Sequence, residues 1–219
     1  FDTNNFEKIN FSDKFKFLNS YRKKIDKIIF SSVVPNVYKN IKRSIKKELR
    51  VEVKELKQLS LKKILKIEVN AKQVGSDRLA NAISVINYKD NFIILDFGTA
   101  TTFDVVLENK YKGGIIAPGV NLSLKTLVEK AKLIPNTKLT KIKNIIGKNT
   151  QNAVRSGFYW GYQGLIENMI NLIEKKYKKK FKIIFTGGLS HLFKDTINKK
   201  IKVDRDLTIK GLLRLVDLI

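Results

Sequence analysis

The chain has no cysteine, one histidine, three prolines and only seven arginines in 219 residues. Without cysteine there is no disulfide framework, no thiolate zinc centre and no cysteine nucleophile. That lack fits a reducing compartment, so the expected location is cytoplasmic. A lone His191 excludes a His-rich metal site and leaves a Ser-His-Asp triad without support. Long apolar runs are also missing. Ile28-Ile29-Phe30 and Phe92-Ile93-Ile94-Leu95 fall far short of the roughly 20 residues a membrane helix needs, so no membrane partner is expected. The Walker A and GxGxxG phosphate loops are absent.

Lysine is what the chain has in excess: 37 Lys and 7 Arg against 20 Asp+Glu give a formal charge of +24. The lysines are spread through nearly every segment, and Ile and Asn are abundant with them, a bias expected of an AT-rich genome. Nucleic-acid readers rely on Arg forks and on aromatics interleaved on one face. Nucleic acid is therefore not an expected partner, and a steep salt dependence of DNA binding would be the sign of one. The run Lys175 to Lys182 reads as a helix end and its solvated loop.

Apolar residues recur along the whole length, as a globular core requires. Lys27 to Val34 reads as a buried strand closed by Pro35. Tyr38 to Leu49, with Val37, Ile41, Ile45 and Leu49 in register, reads as an amphipathic helix, and Val51, Val53 and Leu56 as a short strand. Strand, helix, strand is the unit of a parallel pair with a right-handed crossover. Gly75-Ser76 then turns into a helix with Leu79, Ala82, Ile83 and Ile86 on one face. Asn91 to Asp96 is an apolar strand, followed by a hairpin into Thr101 to Leu107. A second hairpin, through Lys110-Tyr111, leads into Gly113 to Ala117, giving a three-stranded meander at a sheet edge. Helices follow over Leu122 to Ala131 and Asn149 to Tyr177, the latter continuous or broken near Gly161 to Gly164. Lys182 to Phe185 is a short strand ahead of Thr186-Gly187-Gly188, and a helix follows Ser190. After a short strand at Lys202-Val203, Thr208 N-caps a terminal helix with Leu212, Leu215 and Val216 inward. The pattern is α/β, with an N-terminal subdomain over 1–90, the 208–219 helix packing on it, and a second subdomain over 91–207.

Four pieces can carry chemistry. Asp96-Phe97-Gly98-Thr99-Ala100-Thr101-Thr102 delivers a carboxylate to a strand end, then a tight turn with N–H and hydroxyl donors. That set suits a phosphate with a cation beside it, and equally a hairpin whose Asp and Thr satisfy the turn. Gly75-Ser76-Asp77-Arg78 sets an acid and a base at a helix start, either as proton acceptor and anion fork or as a plain cap with a surface charge. Gly187-Gly188 lets backbone approach a ligand, or makes a tight strand-to-helix turn. Gly147-Lys148-Asn149-Thr150 opens the long helix, where capping is the simpler use. The aromatic trio Phe158-Tyr159-Trp160 reads as core or subunit contact, and His191 as a helix-start residue.

In the order GSDR, DFGTATTFDVV, GGIIAPG, IGKNT and TGGL, with SSVVP (Ser31 to Pro35) before them and LT-x-x-GL (Leu207 to Leu212) after, the chain resembles the type III pantothenate kinases of the actin-like ATPase superfamily. The resemblance covers nearly the whole chain. It implies a duplicated ribonuclease-H-like fold with two subdomains around a cleft, and a homodimer. The implied activity is phosphorylation of pantothenate by ATP, the first step of coenzyme A synthesis. The implied cofactors are a divalent cation (Mg2+) and a monovalent one (K+ or NH4+). By position, Asp77 is the general base, and Gly75, Ser76, Arg78 and Thr150 line the pantothenate pocket. Asp96 takes the monovalent cation, Gly98 and Thr99 meet the ATP phosphates, and Gly187 and Gly188 face the adenosine. Two features depart from the family. The DxGNT-type phosphate loop that opens family members is not found at Phe1-Asp2-Thr3-Asn4-Asn5, so a longer native start is expected. Glu68 stands where a Tyr is common, and its charge opposes the pantothenate carboxylate unless Lys66, Lys72 or Arg78 offsets it. The alternative is a family member that has lost catalysis and acts as an accessory protein.

Overall fold

A computed structural model describes residues 16–86 and 89–218. The start at Phe1 to Asn5, and with it any phosphate loop, lies outside the described residues. The chain divides into two compact units, Phe1–Ser84 with Thr208–Ile219, and Val85–Leu207.

In the first unit a 3-10 stretch at Lys16–Lys24 precedes β1 (Lys27–Phe30), α1 (Pro35–Leu49) and β2 (Glu52–Glu55). β1 and β2 pair in parallel, Ile28 against Val53, so the crossover unit forms as the periodicity requires. The strand is shorter than the KIIFSSVV run and only half-buried, because Pro35 opens α1 instead of closing β1. Its ring fixes φ near the helical value where the N–H has no intrahelical partner to lose. Ile41, Ile45 and Leu49 bury the inner face of α1 on Val53. Arg50 ends the helix at φ +58 and returns its N–H to Lys46 O. A two-residue strand β3 (Lys66–Ile67) and α2 (Ser76–Ser84) follow, with Leu79, Ala82 and Ile83 fully buried.

The second unit contains β4 (Phe92–Phe97), β5 (Ala100–Leu107), β6 (Lys110–Pro118), α3 (Val120–Lys130), α4 (Thr150–Tyr177), β7 (Lys182–Gly187), α5 (Ser190–Phe193) and β8 (Ile201–Val203). Its strands stand in the order β6-β5-β4-β7-β8, antiparallel up to β4 and parallel from β4 to β8. The meander is therefore one side of a mixed sheet. Its second turn is at Glu108-Asn109, both at positive φ, a step earlier than Lys110-Tyr111. Two left-handed residues make the two-residue loop whose twist matches the flanking strands. Gly113, at φ +98, lies where the β5–β6 register slips.

α4 is one continuous helix of 28 residues, with no break at Gly161 to Gly164. Tyr159, Ile166, Ile170 and Ile173 pack it on Ile93, Leu95, Phe97, Phe103, Val105, Ile183 and Phe185. Those strand residues alternate with a second set, Ile94, Val106 and Ile184, which is also buried, so both faces of β4 are covered. Tyr159 stacks on Phe193 of α5, which places the aromatic trio in the core of this unit.

The terminal helix α6 (Leu207–Asp217) belongs to the first unit from Thr208 onward. Thr208 is not its cap. The hydroxyl donates to Asn81 Oδ1 at 2.7 Å, tying α6 to α2. Gly211 lies so close to α2 that a Cβ would stand 1.9 Å from Ala80 O. Leu215 is buried as expected, but Val216 is exposed, because the close glycine approach turns the buried stripe toward Gly211 and Leu215.

Candidate active site

The turn ahead of α2 is built by hydrogen bonds from other elements. Ser76 is buried, and its hydroxyl donates to Glu55 Oε1 at the end of β2. Ser32 O, in the segment between β1 and α1, is within 3.3 Å of the same hydroxyl. Ser76 therefore has no free side-chain donor for a ligand and offers backbone only. Asp77 stands half-buried in the first turn of α2, where a carboxylate is favoured by the exposed helix N–H groups. Its Oδ1 accepts from Arg78 N–H at 2.8 Å and passes over Gly75, where a Cβ would stand 2.5 Å away. Arg78 is half-buried beside it. Gly75 and Ser76 line a pocket of about 350 Å³ together with Ser32, Pro35, Tyr38 and Glu55.

The second unit assembles a different surface. Asp96 is paired across β4–β5 with Thr102 and across β4–β7 with Thr186. Cross-strand partners share a face, so Thr186, Asp96 and Thr102 form a hydroxyl–carboxylate–hydroxyl row on the side away from α4. Farther along it, buried Asp104 accepts from Tyr111 Oη at 2.5 Å. Of the three Thr after Gly98, only Thr99 is exposed. Thr101 Oγ1 is buried on the α4 side and has no hydrogen-bond partner among the described residues, and Thr102 Oγ1 is 3.5 Å from Asp104. The reading of three free hydroxyls thus narrows to one, since successive strand residues alternate faces.

Glycines shape this end of the sheet. The Gly98-Thr99 turn rests on Gly119, where a Cβ would meet Thr99 O at 2.1 Å. Gly119 opens α3 and brings no side-chain cap, so the free N–H groups of a helix start adjoin the turn. Gly187, at φ +82, ends β7 beside Asp96: a Cβ there would stand 2.6 Å from Asp96 Oδ1 and 2.7 Å from Phe97 N and O. Gly188 has nothing within 4 Å. Arg205 donates to Gly188 O at 3.3 Å and lies 3.2 Å from His191 Nδ1, so His191 is an exposed neighbour of this loop. Asp96, Gly98, Thr99, Gly187 and Gly188 thus gather at the C-terminal ends of two adjacent parallel strands, where open α/β sheets bind ligands.

Thr150 begins α4 in an exposed position. Asn149 is the cap, accepting from Asn152 N–H at 2.9 Å, which leaves the Thr150 hydroxyl out of that duty. Gly147 packs on the first turn of α4, where a Cβ would stand 2.1 Å from Ala153 N, which fixes the IGKNT segment on the helix start. Sequence reasoning missed Glu55. The signal was there in the alternation, since Val53 and Glu55 share the inward face of β2.

Comparison with known proteins gives the family. A family model described as type III pantothenate kinase matches residues 8–172. A type III pantothenate kinase of Pelagibacter ubique is 56% identical over 202 residues, covering 92% of this chain and 82% of the relative. One from Sulfurihydrogenibium is 42% identical over 207 residues, covering 93% and 82%. Among solved structures, a Baf family transcriptional activator from Campylobacter jejuni superposes with TM-score 0.64 at 19% identity, over 92% of this chain and 87% of that one. Acetate kinase from Entamoeba histolytica does so with TM-score 0.53 at 11% identity, over 96% and 85%. These two likenesses concern the fold, a mixed sheet flanked by helices.

Proposed function

The chain belongs to the type III pantothenate kinase family, and from that premise we propose how its two turns divide the reaction. The activity is ATP-dependent phosphorylation of pantothenate in coenzyme A synthesis. The observation that carries it is the 56% identity across 92% of the chain, a span that takes in both turns.

Phosphoryl transfer asks the protein for positioning and charge stabilisation more than for covalent chemistry. Asp77 accepts the proton of the pantothenate primary hydroxyl as its oxygen bonds the γ-phosphorus. The bond from that phosphorus to the β–γ bridging oxygen breaks, and ADP leaves with the electron pair. Gly75 and Ser76, by backbone, and Arg78 and Thr150, by side chain, line the pantothenate site. Arg78 is the fork for its carboxylate, and Lys66, Lys72 or Arg78 offsets the charge of Glu68. Gly98 and Thr99 offer N–H groups to the ATP phosphates, and Gly187 and Gly188 let backbone approach the adenosine.

The residues around Asp96 fit a monovalent cation. A carboxylate between two threonine hydroxyls is a hard oxygen donor set, and glycine at 187 keeps side-chain atoms from its Oδ1. Cations there and on the phosphates supply positive charge against the transferring group. No cluster of three His, Cys, Asp or Glu exists among the described residues, so Mg2+ is assigned to the ATP phosphates, where it commonly keeps most of its own waters.

A homodimer, as the family resemblance implies, is part of the proposal, and Ile116, Leu133, Ile145 and Ile146 are exposed apolar side chains of the second unit that a subunit contact could cover. Sedimentation at micromolar protein tests it. No helix of the described residues is long and apolar enough to cross a membrane. A cytoplasmic site of action, beside its metabolite substrates, is part of the proposal.

The deciding experiment measures ADP release with and without pantothenate, in potassium and in sodium. Pantothenate-dependent release that needs potassium supports the reading, and equal release with or without pantothenate refutes it. Asp96→Ala should abolish potassium activation. Activation that survives in that variant places the cation elsewhere.

A further inference from the structure

One carboxylate of the first unit has no part in this scheme and yet touches it. Glu55 is 9% exposed at the end of β2. Its Oε2 accepts from Lys57 N–H at 2.7 Å, and its own N–H donates to Gln58 Oε1 at 3.1 Å. The Tyr38 hydroxyl donates to the same Gln58 oxygen at 3.0 Å, which joins α1 to the network. The second carboxylate oxygen, Oε1, reaches across 21 residues of sequence to the Ser76 hydroxyl. That hydroxyl has one proton and two acceptors in reach, Glu55 Oε1 and Ser32 O. The carboxylate is the stronger acceptor and makes the shorter bond.

Capping the 3-10 turn at Leu56–Gln58 needs only one acceptor, and a neutral Asn or Ser would serve. Burying a carboxylate for that task alone is costly. The other oxygen is spent on the residue directly before Asp77. Ser76 begins α2, so a bond that fixes its side chain fixes the first turn from which the Asp77 carboxylate leaves. We infer that Glu55 is a positioning residue for Asp77: by holding Ser76 it sets the direction in which the base meets the substrate hydroxyl. The kinetic half of this inference rests on the kinase reading above. The tie between Glu55 and the turn does not.

The test uses the full chain and three variants, Glu55→Met, Ser76→Ala and the double. A methionine keeps roughly the volume but offers neither donor a strong acceptor, whereas a glutamine could still hold Ser76 by donating to its oxygen while the Ser76 proton turns to Ser32 O. Both single variants should lower kcat/KM for pantothenate about tenfold, because small misplacements of a reacting group cost that much or more. KM for ATP should not move. The double variant should be no worse than the worse single, since both act through one bond. Hydrogen exchange of the 74–80 segment should quicken in each. Losses that multiply, or unchanged pantothenate kinetics in folded variants, would overturn the inference. If the wild type shows no pantothenate-dependent ADP release, the kinase reading fails. Exchange at 74–80 then still decides the tie, and an unchanged rate in Glu55→Met rejects it.

Discussion

The turn carrying Asp77 and the turn at Gly98-Thr99 are held by opposite means. The first is pinned by side-chain hydrogen bonds, Ser76 to Glu55 with Ser32 O beside them. The second is held by the lack of side chains: Gly119 lets Thr99 O come close, and Gly187 does the same for Asp96 and the Phe97 backbone. The difference follows from the task proposed for each. A base must be aimed, which needs directional bonds. A phosphate cradle must present N–H groups and keep other atoms away, which needs glycine. The first turn should then respond to changes of polarity at constant volume, and the second to the addition of a single methyl.

The largest expected effect is on the first turn. Asp77→Asn changes no volume, yet it removes the proton acceptor, so pantothenate-dependent turnover should fall about 10²- to 10⁴-fold. The urea midpoint should fall only slightly, reflecting the about 0.3–1 kcal/mol that a charged carboxylate gains at a helix start. A variant that retains full turnover would leave the hydrogen-bonded turn without a catalytic purpose.

Next comes a paired test at the second turn. Gly187→Ala puts a Cβ at φ +82 and 2.6 to 2.7 Å from Asp96 Oδ1 and the Phe97 backbone. Backbone that cannot yield should cost about 1–3 kcal/mol, read as a lower urea midpoint and a raised KM for ATP. Gly188→Ala, with nothing within 4 Å, should stay within about 0.5 kcal/mol. Equal effects at the two neighbours would break the steric account.

The polar exception in the second unit sharpens the contrast. Tyr111→Phe keeps the ring in the core but takes a donor from buried Asp104. The expected cost is about 1–2 kcal/mol of unfolding free energy, with no change in KM for ATP. A raised KM would mean that the polar row from Asp104 to Asp96 works as one piece.

How much of this was legible follows the same division. Strands β4 and β7 and helices α1 and α4 could be read because apolar periodicity is a local signal, and the turns at Gly98 and Gly187 because glycine punctuates a strand end, although a ligand contact and a plain tight turn read alike there. Asp77, Asp96 and their neighbours could be named from motif order. What was hidden is set by distant neighbours. Thr208 reads as a cap until Asn81, 127 residues away, takes its hydroxyl. Thr101 and Thr102 look alike until alternation sends one toward α4 and the other beside Asp96. Pro35 reads as a strand stop, although the same fixed φ suits the first residue of a helix. Ser76 reads as a substrate contact until β2 brings Glu55 to it.

The smallest effect expected concerns a charged tie at the edge of the second unit. Lys199 Nζ lies 2.8 Å from Glu174 Oε2, linking α4 to the segment before β8, and Phe181 N–H reaches the other oxygen. Burial alone would raise this carboxyl. The hydrogen bond and charge of Lys199, the Phe181 N–H and the charge of Lys180 outweigh it and hold the group below its ordinary value. A carboxyl lowered in the folded state adds stability above its unfolded value, about 4.3, and loses it as pH falls through the lower folded one. Glu174→Gln should therefore cost about 1 kcal/mol at pH 7, and the gap to wild type should close in urea titrations well below pH 4. A gap that persists in acid would mean that Glu174 contributes by shape, as the glycines do, and that the second unit relies on packing even where it carries charge.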